Sequence, residues 1–350
     1  MARRKALVIG GLGVIGRRLV QELCDHPEWG EVVALSRRDP DFETRASFIP
    51  VDLLDRAQTE RKLAHLADLT HIFYCALDGG IQASNVERNL MLLVNPVEVL
   101  EPLNKGLERI VLSEGGKVYG RHLGPFKTPA KETDPRYMPP NFYYDQEDFL
   151  RGLQEGKRWT WSAVRPEAVL GFAVGNPLNI MLVIGVYAAI CKELGLPLRF
   201  PGKPGAYHTL MQFTDAGLLA RLQLWCATDP AAANQAFNAT DGDCFRWDSL
   251  WPRIARLFKM EVAAPQKIDL VKFMPDKKPI WERIVKKYGL QPYPYEQIAM
   301  WPFGDFVFDT DWDLIMDDGK RIRAGFTEVI DTEERVLEVL QEFRANRIIP

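Results

Sequence analysis

The chain has 350 residues, 47% hydrophobic and 26% charged, and 44 Lys and Arg against 47 Asp and Glu give a net charge of −3. That length suits one large α/β unit with a second lobe, or two domains, and the near-neutral charge points to neither nucleic acid nor an anionic membrane surface as a partner. Cys24, Cys75, Cys191, Cys226 and Cys244 form no CxxC pair and read as reduced thiols. The longest apolar stretch, around 180–190, is about half of the ~20 residues that a span needs, so the expected location is cytoplasmic.

In chain order, short β-branched runs alternate with helical patterns, the signature of a parallel sheet. Strands are predicted at 5–9, 32–35, 48–51, 72–75, 109–112 and 160–164. Helices are predicted at 14–24, at 85–100 with Leu90, Leu93, Val94 and Val97 on its buried face, and at 178–194. Proline and aromatic residues become frequent beyond Gly171. The predicted fold is α/β, a Rossmann-type doubly wound parallel sheet with a smaller C-terminal substrate-binding lobe. Its boundaries fall at 1–172 for the nucleotide domain, completed by part of 208–242, and 173–350 for the lobe.

The turn after the first strand reads Ile9-Gly10-Gly11-Leu12-Gly13-Val14-Ile15-Gly16. Gly10 allows a tight turn, Gly13 lets the backbone approach a pyrophosphate, and Gly16 lets the helix pack close to the sheet. The helix start, with Leu12, Val14 and Ile15, offers free N–H groups to the phosphates. A carboxylate at the end of the second strand would hold the ribose of NAD; Ser36-Arg37-Arg38 stands there instead. Guanidinium groups pair with a 2′-phosphate, so the predicted cofactor is NADPH. Asp52 and Leu53 are expected near adenine, and Asp52 reads equally well as a helix cap. Ala76, Ser113 and Val169, at or just past the ends of later strands, complete the expected cofactor site. No Cys/His spacing suits a metal.

A Tyr-x-x-x-Lys pair is missing: Glu147 stands four residues past Tyr143, and Asp148 four past Tyr144. The candidate lysine is Lys117, just after the fifth strand. His122 reads as a structural histidine, and Glu147-Asp148 as charges at a helix start.

The block Lys117-Val118-Tyr119…Gly124-Pro125-Phe126, followed by Asn141-Phe142-Tyr143-Tyr144-x-x-Glu147-Asp148, resembles the progesterone 5β-reductase/iridoid synthase (PRISE) family of extended short-chain dehydrogenases. Ser36-Arg37-Arg38, Arg165-Pro166…Gly171-Phe172, Asn234 to Asn238, and Asp241-Gly242-Asp243 ahead of Trp247 extend the resemblance over nearly the whole chain. It implies an NADPH-dependent ene-reductase in which Tyr144 and Lys117 are catalytic, the lysine lowering the pKa of the tyrosine that holds an enolate oxygen, with Phe126 in the substrate pocket. It also implies a homodimer through exposed helices of the nucleotide domain. Two departures flank the expected pocket. Gly120-Arg121-His122-Leu123 replaces the single residue the plant pattern has before Gly-Pro-Phe, and Leu77 stands where the family often has Trp. The alternatives are a carbonyl reductase on the same scaffold and a non-catalytic NADP-binding redox sensor.

Overall fold

The computed structural model describes residues 4–79 and 86–350. The first half delivers β1 (Arg4–Ile9), α1 (Val14–Asp25), β2 (Trp29–Ser36), β3 (Ser47–Pro50), α2 (Arg56–Leu63), β4 (His71–Tyr74), α3 (Val86–Leu103), β5 (Arg109–Ser113), α4 (Phe142–Gln154) and β6 (Thr160–Pro166). Then come β7 (Val169–Leu170), α5 (Ile180–Glu193), β8 (Leu198–Arg199), β9 (Thr214–Asp215), α6 (Ala216–Thr228) and β10 (Gln235–Ala239). Past these lie α7 (Trp247–Phe258), β11 (Val262–Ala263), α8 (Leu270–Phe273), α9 (Lys278–Tyr288), α10 (Tyr295–Ile298), α11 (Trp301–Phe308), α12 (Gly319–Arg323) and α13 (Thr332–Ala345).

The main sheet has seven strands in the order β10-β6-β5-β4-β1-β2-β3, every neighbouring pair parallel. Both faces are covered, so alternate residues along a strand enter different cores. Ala6 and Val8 of β1 pack with α1 and α6 on one face, while Leu7 and Ile9 pack with α3 and α4 on the other. The seventh strand, β10, comes from far along the chain and closes the sheet beside β6.

The buried face of α3 is rotated from the predicted stripe. Leu93 and Val97 are buried, but Leu90 and Val94 are half-exposed, and Asn89, Asn95 and Pro96 lie inside. The asparagines tolerate burial because their amides are satisfied: Asn95 Nδ2 donates to the Leu53 carbonyl at 2.7 Å, and Asn89 Nδ2 to that of Asp78 at 3.1 Å. A hydropathy stripe counts such residues as outward-facing. Residue 85, the predicted helix start, lies outside the described residues.

The C-terminal lobe is helical, built around an aromatic cluster in which Phe200, Trp247, Trp251 and Phe308 meet with ring centroids 5.3–5.9 Å apart. Its helix α11 brings Phe303 and Phe306 to the carboxyl edge of the sheet. Among the described residues, no helix is long and apolar enough to cross a membrane.

Candidate active site

Parallel strands deliver all their carboxyl ends to one edge. Where the strand order reverses, between β1 and β4, a cleft of about 1920 Å³ opens, continuous with solvent. Gly10, with φ +90°, turns the chain so tightly against β4 that a methyl group on it would stand 2.8 Å from the backbone nitrogen of Ala76. Gly16 packs on Gly10, whose carbonyl oxygen would lie 2.2 Å from an added Cβ. Gly13 differs: a methyl there meets nothing closer than Asn176 at 3.4 Å, leaving its Cα face open to the cleft. No side chain caps the start of α1, so its first N–H groups, at Val14 and Ile15, face the cleft beside Leu12.

Arg37 and Arg38 are exposed at the end of β2 and line the cleft, with the Ser36 hydroxyl accepting from the Arg38 N–H at 3.0 Å. Among the described residues no carboxylate pairs with either guanidinium; Asp41 is taken by Arg17. Asp52 and Leu53 line the same end, and the helix cap there is Asp55, whose carboxylate accepts from the Gln58 N–H. Ala76, Ser113, Lys117 and Val169 continue the lining. The Ser113 hydroxyl, almost fully buried, accepts from Gln223 Nε2 at 2.9 Å. The cradle therefore fits a dinucleotide, with an anion-ready helix start and two guanidinium groups that have no internal acid to neutralise them.

The chemical end of the cleft is set by Asn141, which caps α4. Its Oδ1 accepts from the Tyr143 N–H at 3.1 Å and its Nδ2 donates to the Lys117 carbonyl at 2.9 Å. This fixes the rotation of α4 relative to the 3-10 turn 116–119. Successive residues on an α-helix point about 100° apart, so only one of the paired tyrosines can face the cleft. Tyr143 does, its hydroxyl lying against the Cα of Gly115. Tyr144 does not. Its hydroxyl donates to the Val118 carbonyl at 2.6 Å and accepts from the Tyr137 N–H at 2.8 Å, and Arg136 covers its ring at 4.9 Å. The Tyr144 hydroxyl, expected to be the catalytic and cofactor-contacting group, is thus spent on the loop, and the tyrosine that lines the cleft is Tyr143. Phe126 is likewise not brought to the cleft. It is half-buried between Tyr144's cluster and the lobe core.

Burial, and after it the Arg121 cation, pulls the Lys117 ammonium down to about 8. Burial, with the Glu114 and Glu167 carboxyls, pushes the Tyr143 phenol up, so it remains a protonated donor. The expected lowering of a tyrosine pKa by the lysine is not what surrounds Tyr143. Beneath it, Arg165 of β6 donates to Glu114 at 2.7 Å, to Glu147 at 2.9 Å and to the Tyr119 hydroxyl at 3.2 Å. Burial raises the Glu114 carboxyl to about 8 against the pull of Arg165, with Glu147 adding to the rise. Glu147 is thus part of a buried network, whereas Asp148 lies on the surface with Arg136.

Glu114, Arg121, Glu167, Phe303 and Phe306 also line the cleft and were missed from sequence. Glu114 and Glu167 each follow a strand end directly, so the rule that placed Ser113 at the carboxyl edge would have found them. Arg121, Phe303 and Phe306 have no such local signal. His122 is half-buried and outside the lining, held uncharged by burial and the Lys117 and Arg121 cations. The Tyr144 assignment is checked by stability: Tyr144→Phe leaves the Val118 carbonyl and the Tyr137 N–H unpaired and should cost about 1–3 kcal/mol in denaturant unfolding. Tyr143→Phe should cost less; the reverse order would restore Tyr144 to the cleft.

Comparison with known proteins agrees with this architecture. The chain matches the PRISE-like Rossmann-fold domain over residues 6–350. It is 34% identical over 367 residues to an (S)-8-oxocitronellyl enol synthase of Camptotheca acuminata, covering 99% of this chain and 93% of that protein. It is 33% identical over 365 residues to a 3-oxo-Delta(4,5)-steroid 5-beta-reductase of Arabidopsis thaliana, covering 99% and 93%. Among solved structures, a UDP-glucose 4-epimerase of Thermus thermophilus in complex with NAD superposes with a TM-score of 0.69 at 18% identity, over 97% of this chain and 99% of that one; at that identity the likeness concerns the fold. With the family description spanning the sheet, the cleft and the C-terminal lobe, the chain belongs to the PRISE-like Rossmann-fold family.

Proposed function

We propose that this protein is an NADPH-dependent reductase of the C=C bond of α,β-unsaturated carbonyl compounds. The observation that carries the reading is the convergence of a protonated Tyr143 and the Lys117 cation on the cleft whose other end is the Arg37–Arg38 cradle. Relatives named as a 5-beta-reductase of 3-oxo-Delta(4,5)-steroids and as 8-oxocitronellyl enol synthases support it.

The N–H groups at the start of α1 would hold the pyrophosphate, and Arg37 with Arg38 would hold the 2′-phosphate. Bound there, NADPH supplies a hydride. Hydride arriving at the β-carbon of an enone moves the C=C electrons toward the carbonyl, and negative charge collects on oxygen as an enolate. The Tyr143 hydroxyl donates a hydrogen bond to that oxygen. Lys117, charged below about pH 8, adds a positive field in a partly buried site where charge is weakly screened. The α-carbon then takes a proton from water, balancing the reduction. Phe303 and Phe306 form an apolar wall of the cleft.

Cofactor choice rests on the two guanidinium groups. Arg37→Ala with Arg38→Ala should raise KM for NADPH at least tenfold, about the scale of one lost charged hydrogen bond, and leave NADH little changed; equal losses for both cofactors would contradict a 2′-phosphate role.

Tyr143→Phe should lower kcat for a cyclic enone by about 100-fold, the scale of a lost oxyanion donor, with NADPH still binding. The ammonium of Lys117 is lost as pH rises through about 8. The kcat/KM of the native protein should therefore fall above that pH, and Lys117→Met should be slower and lose that limb. His122, on the same loop, is held below its ordinary value by burial and supplies no limb here; Glu114, which also lines the cleft, is raised to about 8 by burial, so loss of the limb in Lys117→Met is what assigns it to the lysine. An unchanged rate in Tyr143→Phe, measured by NADPH consumption, would sink the reading.

A further inference from the structure

Among the described residues five arginines are buried: Arg17, Arg109, Arg121, Arg165 and Arg321. Four have partners. Arg17 donates to Asp41, Arg109 to the Ser162 hydroxyl and the Cys226 carbonyl, Arg165 to two glutamates and Tyr119, and Arg321 to Asp318 and the carbonyls of Thr240 and Glu328. Arg121 donates no hydrogen bond. Its side chain is 7% exposed, its Nε is buried with no partner, and its nearest carboxylate, Glu167, stands at 3.6 Å, beyond hydrogen-bond reach. Of the five N–H donors of a guanidinium, the Nε one is buried here without a hydrogen-bond partner, which is costly, and the terminal ones make no hydrogen bond to a described residue.

Its position explains what they wait for. Arg121 lines the cleft, its guanidinium stacked over the Phe306 ring at 4.5 Å from the centroid. Its stem runs over Gly116: a methyl there would come within 3.2 Å of Arg121 Cδ and 1.8 Å of Glu167 Oε1. A side chain at residue 116 would therefore push the Glu167 carboxyl away from its place beside Arg121. Lys117 is the next residue, so two cations face one partly buried space.

We infer that Arg121 is the recognition group for a carboxylate, and that the substrate is an α,β-unsaturated carbonyl compound with an apolar body and a carboxylate remote from the reacting carbons. The inference rests on the enone reading for the carbonyl and on Arg121 alone for the acid. A carboxylate offers two oxygens to the planar guanidinium fork, where a hydroxyl or ester carbonyl meets fewer donors and brings no charge. It also relieves the repulsion between Arg121 and Lys117. Glu167 is compatible with it: burial, against the pull of Arg121, favours the neutral acid, which can donate to an incoming carboxylate. Phe303 and Phe306 supply the apolar wall. The residue comes from the Gly120–Leu123 loop segment that lengthens the path from Lys117 to Gly-Pro-Phe, so this specificity is a property of this chain's own loop.

The test uses binding, which needs no turnover. The probes are 4-oxocyclohexanecarboxylate and its methyl ester, titrated calorimetrically into the full-length protein loaded with NADP+. The native protein should bind the acid at least 10-fold more tightly than the ester. Arg121→Met, which keeps much of the stem's packing, should bring the two within about twofold, and Arg121→Lys should retain part of the preference. Equal binding of acid and ester by the native protein, binding of neither, or a preference that survives in Arg121→Met would each overturn the inference. The native comparison stands even where the variant fails to fold. Turnover of the matching enone ester judges the enone reading separately: an ester reduced without acid preference sinks the carboxylate site alone, and acid preference without reduction of either enone sinks the enone reading alone.

Discussion

One amide ties together the two segments that bring a tyrosine and a lysine to the cleft. Asn141 accepts from the Tyr143 N–H and donates to the Lys117 carbonyl, tying together two segments that share no helix. Where a tyrosine and lysine lie four residues apart on one helix, their relation is given by the helix itself. Here nothing in the local backbone sets it, and the Asn141 side chain does. The same cap determines the rotation of α4, and therefore which of two adjacent tyrosines enters the cleft. Glu147, one turn along the same face of that helix as Tyr143, is drawn into the Arg165–Glu114 network, which holds α4 against β5 and β6 from below.

Electrostatics in the cleft follow from burial. Arg165 compensates two carboxyls that could not both ionise alone, and their interior position keeps Glu114 toward its neutral form. Tyr143 sits beside carboxyls and stays a phenol, while Lys117 sits beside Arg121 and is pulled toward its amine. The tyrosine is thus suited to donating a hydrogen bond to an oxyanion, more than to acting as a phenolate base. In the proposed reading, a neutral donor in a low-dielectric place would stabilise that charge, with the neighbouring cations supplying the field.

What the sequence reveals and conceals follows the range of each constraint. The glycine turn and the Ser36-Arg37-Arg38 strand end are legible because a tight turn and a strand terminus depend on a few adjacent residues. The fold class is legible from strand–helix alternation for the same reason, although β10 joins the sheet only through pairing with β6, some seventy residues earlier in the chain. Tyr143 and Tyr144 are indistinguishable in sequence, since the phase of α4 depends on where Lys117 presents its carbonyl. The displacement of Phe126 and the arrival of Arg121 depend on the path of a loop whose extra length is visible but whose direction is not. Phe303 and Phe306 come from a helix of the other lobe and carry no mark that would single them out among 18 phenylalanines.

In the proposed reading the Tyr143 hydroxyl would hold an enolate oxygen and the hydride would go to the β-carbon; a carbonyl reductase would instead place hydride on the carbonyl carbon and pass the tyrosine proton to an alkoxide. Reduction of a cyclic enone with C4-deuterated NADPH in ordinary water, and with unlabelled NADPH in D₂O, separates the two directly by NMR of the product. Enolate stabilisation predicts a saturated ketone with deuterium from the cofactor at the β-carbon and deuterium from solvent at the α-carbon. An allylic alcohol with cofactor label on its carbinol carbon would contradict it.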